Sequence, residues 1–385
     1  MKITTRFFLG LLFLGCAISC SENKAGKILT SGVPSLYDSV PSLDLASVNI
    51  TAETAQIDAF FKKLHNTNGF NGTVLISRKG KVIYKNAWGF SNVKTKEALK
   101  INSAFQLASV SKQFTAMAIM MLQERGSLKY EDKVQDYFPE FPYADITIRE
   151  LLCHRSGLPN YMYFCDQYHC EPTTPVSNQD VLSMMKQYKP APYRRPDSKH
   201  QYSNTGYLIL GSIIEKVSGI SYKEFVESHI FRRLGMNDSY VYDMSKGDEI
   251  PNRVIGYEAS SRGLKEAGTN YLDGVYGDKG IYSTVENLHK WDQALYTDKL
   301  ICSSTLEEAF TPANRDLKLV NYGFGWRIYN SLAGNKIVYH KGWWHGFNAC
   351  ITRNLDIRCS IIVLSNVVNG SFSHIKELEE ILNAS

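Results

Sequence analysis

Between Val110 and Leu122 the chain has almost no face that water would tolerate. Val110, Phe114, Met117 and Met121 recur at helical spacing, and Ala118, Ile119, Met120 and Leu122 fill most of the remaining circumference. A helix apolar all round belongs in the middle of a fold, with other elements packed around it. Gly126 supplies its C-terminal stop. At its head stand Ser109 and Lys112, three residues apart and therefore on one helical face. The lysine amine can then reach the serine hydroxyl, and unpaired N–H groups of the first turn favour negative charge on a bound carbonyl. An ordinary core helix that happens to begin with a serine and a lysine has the same S-x-x-K spacing, so these residues alone do not separate a reactive serine from a packing one.

A chain of 385 residues with 44% hydrophobic and 21% charged content can bury a large core, as one two-lobed domain or as two. A formal charge of +5 without a Lys/Arg run gives no support to a nucleic-acid partner. Lys2 and Arg6 precede the apolar run Phe7 to Leu14, which is too short to span a bilayer, so residues 1–19 read as a secretory signal. Ala17-Ile18-Ser19-Cys20-Ser21 resembles a bacterial lipoprotein processing site, with Cys20 the lipidated first residue; Cys16 after Gly15 is the competing position. The expectation is an exported protein, lipid-anchored to the bacterial cell envelope, with a polar tether over residues 20–48 and a domain over 49–385. Export opens the later cysteines to oxidation. Cys165 lies five residues from Cys170, and a two-residue turn at Asn354-Leu355 would set Cys350 opposite Cys359; simple packing as thiols is the alternative. Cys153 and Cys302 have no evident partner. No C-x-x-C or H-E-x-x-H spacing suggests a metal, and no cofactor is expected.

Ile57, Phe60, Phe61 and Leu64 mark an amphipathic helix that Thr51 caps, and Gly72 to Ser77 with Val82 to Trp88 read as a hairpin. From 128 to 276 the texture becomes helical, with segments at Ile148 to His154, Val181 to Lys186, Thr205 to Val217 and Tyr222 to Leu234. This predicts an α+β fold in which an all-helical lobe (128–276) is inserted into a sheet lobe (49–127 and 277–385). Pro159 to Pro196 has the length of a functional loop, with only Val181 to Lys186 helical. Ser283 and Glu286 have capping-box spacing before Leu288, Trp291 and Leu295. Gly323 to Tyr329, Lys336 to His340, Phe347 to Thr352 and Arg358 to Ser365 read as antiparallel strands. Ile375, Leu378, Ile381 and Leu382 define a last helix that shares a sheet face with the first.

A serine needs a base, a substrate clamp and oxyanion donors to become a nucleophile. Tyr202-Ser203-Asn204 precedes a helix with the buried stripe Tyr207, Leu210, Ile214 and Val217, which puts Asn204 or Thr205 near its cap and points Tyr202 and Asn204 the same way. His340-Lys341-Gly342 ends a strand, where glycine lets a substrate lie flat and leaves the Trp343 N–H as a second oxyanion donor. A cap with a packing tyrosine, and a charged turn, are the plain alternatives.

The three motifs in this order resemble the class C-like branch of the serine β-lactamase and penicillin-binding-protein superfamily, which carries S-x-x-K, Y-x-N and K-T-G or H-x-G. Leu151 to Pro159, Tyr202 to Gly219, Gly280 to Thr284 and Tyr322 to Trp326 are similar to further family segments. The resemblance implies a β-lactamase/transpeptidase-like fold, an antiparallel sheet flanked by helices plus a helical lobe, with the site between them. It implies an acyl-enzyme on Ser109, proton transfer by Lys112 and Tyr202, and an oxyanion hole from the Ser109 and Trp343 N–H groups. Asn204, His340, Lys341 and Gly342 would bind the substrate, and His154 would be structural. Which of Lys112 and Tyr202 is deprotonated at rest stays open. His340 stands where a lysine would give a fixed positive charge to a substrate carboxylate, and Lys341 points the other way along a strand. That departure favours an ester or amide substrate, in the manner of an esterase or D-amino-acid peptidase, over a β-lactam. A class C-like β-lactamase or penicillin-binding protein is the alternative. A catalytically idle surface binding protein is a third, although it would be expected to have lost Ser109, Lys112 or Tyr202.

Overall fold

In the computed structural model, which describes residues 52–383 apart from 170, 172, 245, 246, 248 and 315, the chain is built on a seven-stranded antiparallel sheet. Its strands are β1 (Gly72–Arg78), β2 (Lys81–Trp88), β3 (Asn321–Tyr322), β4 (Arg327–Asn330), β5 (Lys336–Trp344), β6 (Phe347–Asn354) and β7 (Cys359–Ser365). They lie in the order β3-β4-β5-β6-β7-β1-β2. The expected signal with Cys16, the expected tether with Cys20, the expected Thr51 cap and Cys170 lie outside the described residues.

Strand alternation divides the side chains between two layers. Val74, Ile76, Tyr84, Ile361 and Val363 pack under α1 (Ala52–Asn68) and the C-terminal helix Ile375–Asn383, as the periodicity of both helices requires. Leu75, Val338, Ala349, Ile351, Ile362 and Leu364 face the larger core, which holds α2 (Lys112–Glu124). Every residue of α2 from Lys112 to Leu122 is buried. The helix stops as expected, with Gly126 left-handed (φ 71°) and Ser127 N bonded back to Leu122 O at 2.9 Å.

Several elements differ from their sequence-based expectation. The stretch 128–276, expected to be all helical, is mainly so but also contains Tyr240–Val241, which pairs with Ile281–Ser283, and a hairpin of Tyr257–Ser260 with Gly263–Glu266. A two-residue strand is too short to show alternation. The loop after Pro159 contains a helix, α3 (Tyr161–Tyr168), capped by Asn160 and burying Tyr161, Phe164 and Cys165. Of the expected strand from Gly323 to Tyr329, residues 327–329 lie in β4, whereas 323–326 turn between β3 and β4, where Gly323 closes onto Ala309, whose O lies 2.1 Å from an ideal Cβ. Thr284, not Ser283, caps the helix Val285–Ala294. Residues 355–358 make a longer turn than expected, with Arg358 at φ 50°. That register pairs Cys359 with Asn354 and Cys350 with Val363, so the two cysteines do not oppose each other and are free thiols, as is Cys165.

Candidate active site

A 3-10 turn, Ala108–Ser111, runs into α2 and places Ser109 at its head. Ala108, just before it, is held at φ 47°, a conformation that costs a non-glycine residue about 1–3 kcal/mol and persists only where surrounding packing enforces it. Part of that packing is β5. A Cβ on Gly342 would stand 2.2 Å from Leu107 O and 3.0 Å from Ser109 N, so only glycine lets the strand lie this close to the serine turn.

Lys112 is fully buried, and its amine is the hub of the site. Nζ donates to Ser109 Oγ at 3.1 Å, to Asn204 Oδ1 at 2.8 Å and to the main-chain oxygen of Asp278 at 2.9 Å. Three acceptors match the three N–H bonds of an ammonium; a neutral amine keeps two of them and turns its lone pair toward the serine. Asn204 opens the helix α4 (Asn204–Ser218), whose cap is Ser203 through its bond from Gly206 N, rather than Asn204 or Thr205. Tyr202, in the extended segment before it, sets its ring centroid 5.1 Å from Lys112 Nζ, so Tyr202 and Asn204 do converge on one side. His154 is buried, at φ 57°, and its Nδ1 accepts a bond from Ser203 N at 3.1 Å while its ring packs 4.2 Å from that of Tyr202. Its part is to hold the Tyr202-Ser203-Asn204 segment, and burial pushes its imidazole well below the ordinary range, toward the neutral form.

The third motif is placed unevenly. β4 pairs with β5 only as far as Tyr339, so from His340 to Trp344 the strand has a bare edge beside Ser109. His340 points toward this side but is 1% exposed, with Nε2 3.0 Å from the Tyr322 hydroxyl. Burial, with Arg327 and Lys112 nearby, drives it well below the ordinary histidine value of 6.5. It forms a neutral wall rather than a contact surface. Lys341 does not join the substrate-binding residues: it is exposed and opposite Cys350, on the face covered by the first and last helices. The Trp343 side chain is on that face too, so Trp343 can serve the cleft only through its main chain.

Sequence reading missed Asp278, Lys279, Tyr161 and Arg327. The Arg327 guanidinium lies 5.4 Å from the Tyr202 ring centroid, and Lys279 is buried beside Tyr161. The charged pair between Gly277 and Gly280 was the visible signal for two of them; nothing local marks Arg327. Among the described residues no three His, Cys, Asp or Glu side chains converge as a metal site.

A family model described as Beta-lactamase matches residues 57–385. The chain is 40% identical to penicillin-binding protein 4* of Bacillus subtilis (strain 168), over 80% of this chain and 71% of that protein. It is 25% identical to a D-aminopeptidase of Brucella anthropi, over 83% of this chain but 60% of that longer protein. Among solved structures, the penicillin binding protein from Bacillus halodurans superposes with a TM-score of 0.75 at 25% identity, covering 83% of this chain and 98% of that one.

Proposed function

This chain belongs to the beta-lactamase family of serine hydrolases, and we propose that it cleaves an ester or amide through an acyl-enzyme on Ser109. The observation that carries the reading is the 3.1 Å bond between Lys112 Nζ and Ser109 Oγ, on an amine anchored at two further points. Lys112 and Tyr202 take the Ser109 proton as Oγ bonds to the carbonyl carbon. The oxygen becomes an oxyanion held by the N–H groups of Ser109 and Trp343. Collapse expels the alcohol or amine, which receives the proton, and water activated at Tyr202 then releases the acid. An extended acyl group lies along the bare edge of β5 and meets the Asn204 amide, the way a peptide adds to a sheet edge. The D-aminopeptidase relative makes a D-residue on the acyl side the first substrate to try. Hydrolysis of p-nitrophenyl acetate and of D-alanine p-nitroanilide tests this. Ser109→Ala is expected to lower kcat by about 10⁴-fold or more; activity that survives the substitution would belong to another site.

A second reading, a substrate or β-lactam bearing a carboxylate, is favoured by Arg327. The β5 motif gives no usable cation, but this half-buried guanidinium lies over the Tyr202 ring. A chromogenic cephalosporin distinguishes the readings: turnover that needs Ser109, with a KM that rises about tenfold in Arg327→Ala, supports the second.

Export and anchoring rest on the N-terminal sequence alone: Lys2 and Arg6, the run Phe7 to Leu14, and Cys20. Cys20 then carries the lipid and residues 20–48 tether the domain to the cell envelope. Detergent-phase partition of the expressed protein, lost in Cys20→Ser, is the expected result; an aqueous wild type would contradict it.

A further inference from the structure

Behind Lys112 lies a second lysine that the proposed acylation does not use. Lys279 is 2% exposed. Its Nζ donates to the Tyr161 hydroxyl at 2.6 Å and stands 3.7 Å from Asp278 Oδ1. It also lies 4.8 Å from the Trp344 ring centroid and 5.2 Å from that of Tyr161. Tyr161 passes the interaction on, donating to Asp278 Oδ2 at 3.0 Å. The other oxygen of that carboxylate has no hydrogen-bond partner and faces the Lys279 ammonium.

Each of these neighbours belongs to an element that shapes the site. The main-chain oxygen of Asp278 is one of the three acceptors of Lys112. Trp344 is the residue after Trp343 on β5, and its Nε1 donates to Asp273 Oδ1 at 2.6 Å. Tyr161 begins α3 in the inserted lobe. Lys279 is thus in contact with all three walls at once. The charged and titratable groups around it are Asp278, Asp273, Lys112, Tyr161 and Cys165. Those around Lys112 are Lys279, Asp278, Tyr202, Tyr207 and the neutral His154 and His340. Lys279 thus pairs with Asp278 at 3.7 Å, although burial pushes its amine below the ordinary lysine range.

We propose that Lys279 is a positioning residue for acylation: it neutralises the Asp278 carboxylate and fixes the Asp278 carbonyl on Lys112, so the Lys112 amine stays aimed at Ser109. Without the Lys279 charge, the carboxylate of the residue that anchors Lys112 is left uncompensated, which favours positive charge nearby and moves the acid limb of the rate to higher pH.

This inference rests on the acyl-enzyme reading of Ser109, and its test separates the two. Wild type, Lys279→Met, Lys279→Arg and Tyr161→Phe are compared by the rate of Ser109 labelling with a fluorophosphonate, by the pH profile of kcat/KM on p-nitrophenyl acetate, and by thermal melting. Lys279→Met is expected to label about 10²-fold more slowly, as for a catalytic group displaced by about 1 Å, with the acid limb of the profile moved to higher pH and KM little changed. Lys279→Arg restores the limb, because it restores the charge. Tyr161→Phe, which removes the hydroxyl bridge between Lys279 and Asp278 but leaves their 3.7 Å ion pair, falls between, and it decides the matter if Lys279→Met does not fold. Wild-type labelling rates and an unshifted limb in both Lys279→Met and Tyr161→Phe, with only a lower melting temperature, would overturn the positioning role and leave the Ser109 reading intact. A wild type that does not label at Ser109 removes both.

Discussion

Ser109 and Lys112 are joined by a contact that three residues of helix can specify, whereas the third acceptor of Lys112 comes from Asp278, 166 residues further on. That difference in range has consequences for single substitutions. Asn204→Ala removes one of the three anchors while leaving the other two, and a drop in kcat of about tenfold to 10²-fold with little loss of stability is expected, read by ester hydrolysis and melting. The buried histidines give a pH dependence of stability. His154 and His340 are both held well below their ordinary 6.5, chiefly by burial. The unfolded chain therefore binds more protons than the folded one as pH drops below 6.5, so the stability present above that value is lost as acid is added. Urea unfolding at pH 7.5 and 5.5 is expected to show this, and His340→Gln to weaken it; equal midpoints in wild type would contradict it. Ser109, Lys112, Tyr202 and Asn204 were legible because short spacing on a helix or its lead-in fixes their mutual direction. Arg327 and Lys279 were not, since only the tertiary fold brings them to the site.

At the scale of elements, β5 does two jobs with opposite faces. Its Gly342 face abuts the serine turn, and its Lys341 face looks toward the terminal helices. Strand alternation already set Lys341 against His340 in direction, yet the motif resemblance kept Lys341 among the substrate-binding residues, and the register opposite Cys350 corrects that. The burial of His340 behind Tyr322 was not readable in advance, because Tyr322 arrives on a different strand. Gly342→Ala is expected to cost about 1–3 kcal/mol and to lower activity by more than its effect on folding, since its Cβ must displace Leu107 O or Ser109 N. Denaturant melts beside kcat measurements would check both. Turn length was the least legible feature: the four residues 355–358 replace an expected two, and this alone separates Cys350 from Cys359. Thiol counting on unfolded, unreduced protein is expected to find both cysteines free.

For the whole molecule, the 3.6-residue period of α1 and the last helix set both on one face of the sheet and that of α2 made it buried, while the sheet flanked by helices was what the family resemblance implied. What they could not foresee is how the layers are pinned. Arg353 on β6 donates Nε to Asp292 Oδ1 at 2.5 Å and Nη2 to the Asp292 main-chain oxygen at 3.2 Å, and Ser360 on β7 adds a bond of 2.7 Å to the same carboxylate. Both charged side chains are 0% exposed, which ties the helix Val285–Ala294 to the sheet beneath it. Asp292→Ala strands a buried guanidinium and is expected to cost about 3–5 kcal/mol, visible in denaturant melts. Above this frame, the central claim is that one serine at the head of the buried helix forms the covalent intermediate. Intact-mass analysis after exposure to a fluorophosphonate, and separately to a penicillin, tests it most directly. Wild type is expected to gain a single fluorophosphonate adduct that maps to Ser109 and is absent from Ser109→Ala, with a stable penicillin adduct only if the carboxylate-binding reading holds; a wild type that gains no mass from either reagent would contradict the assignment.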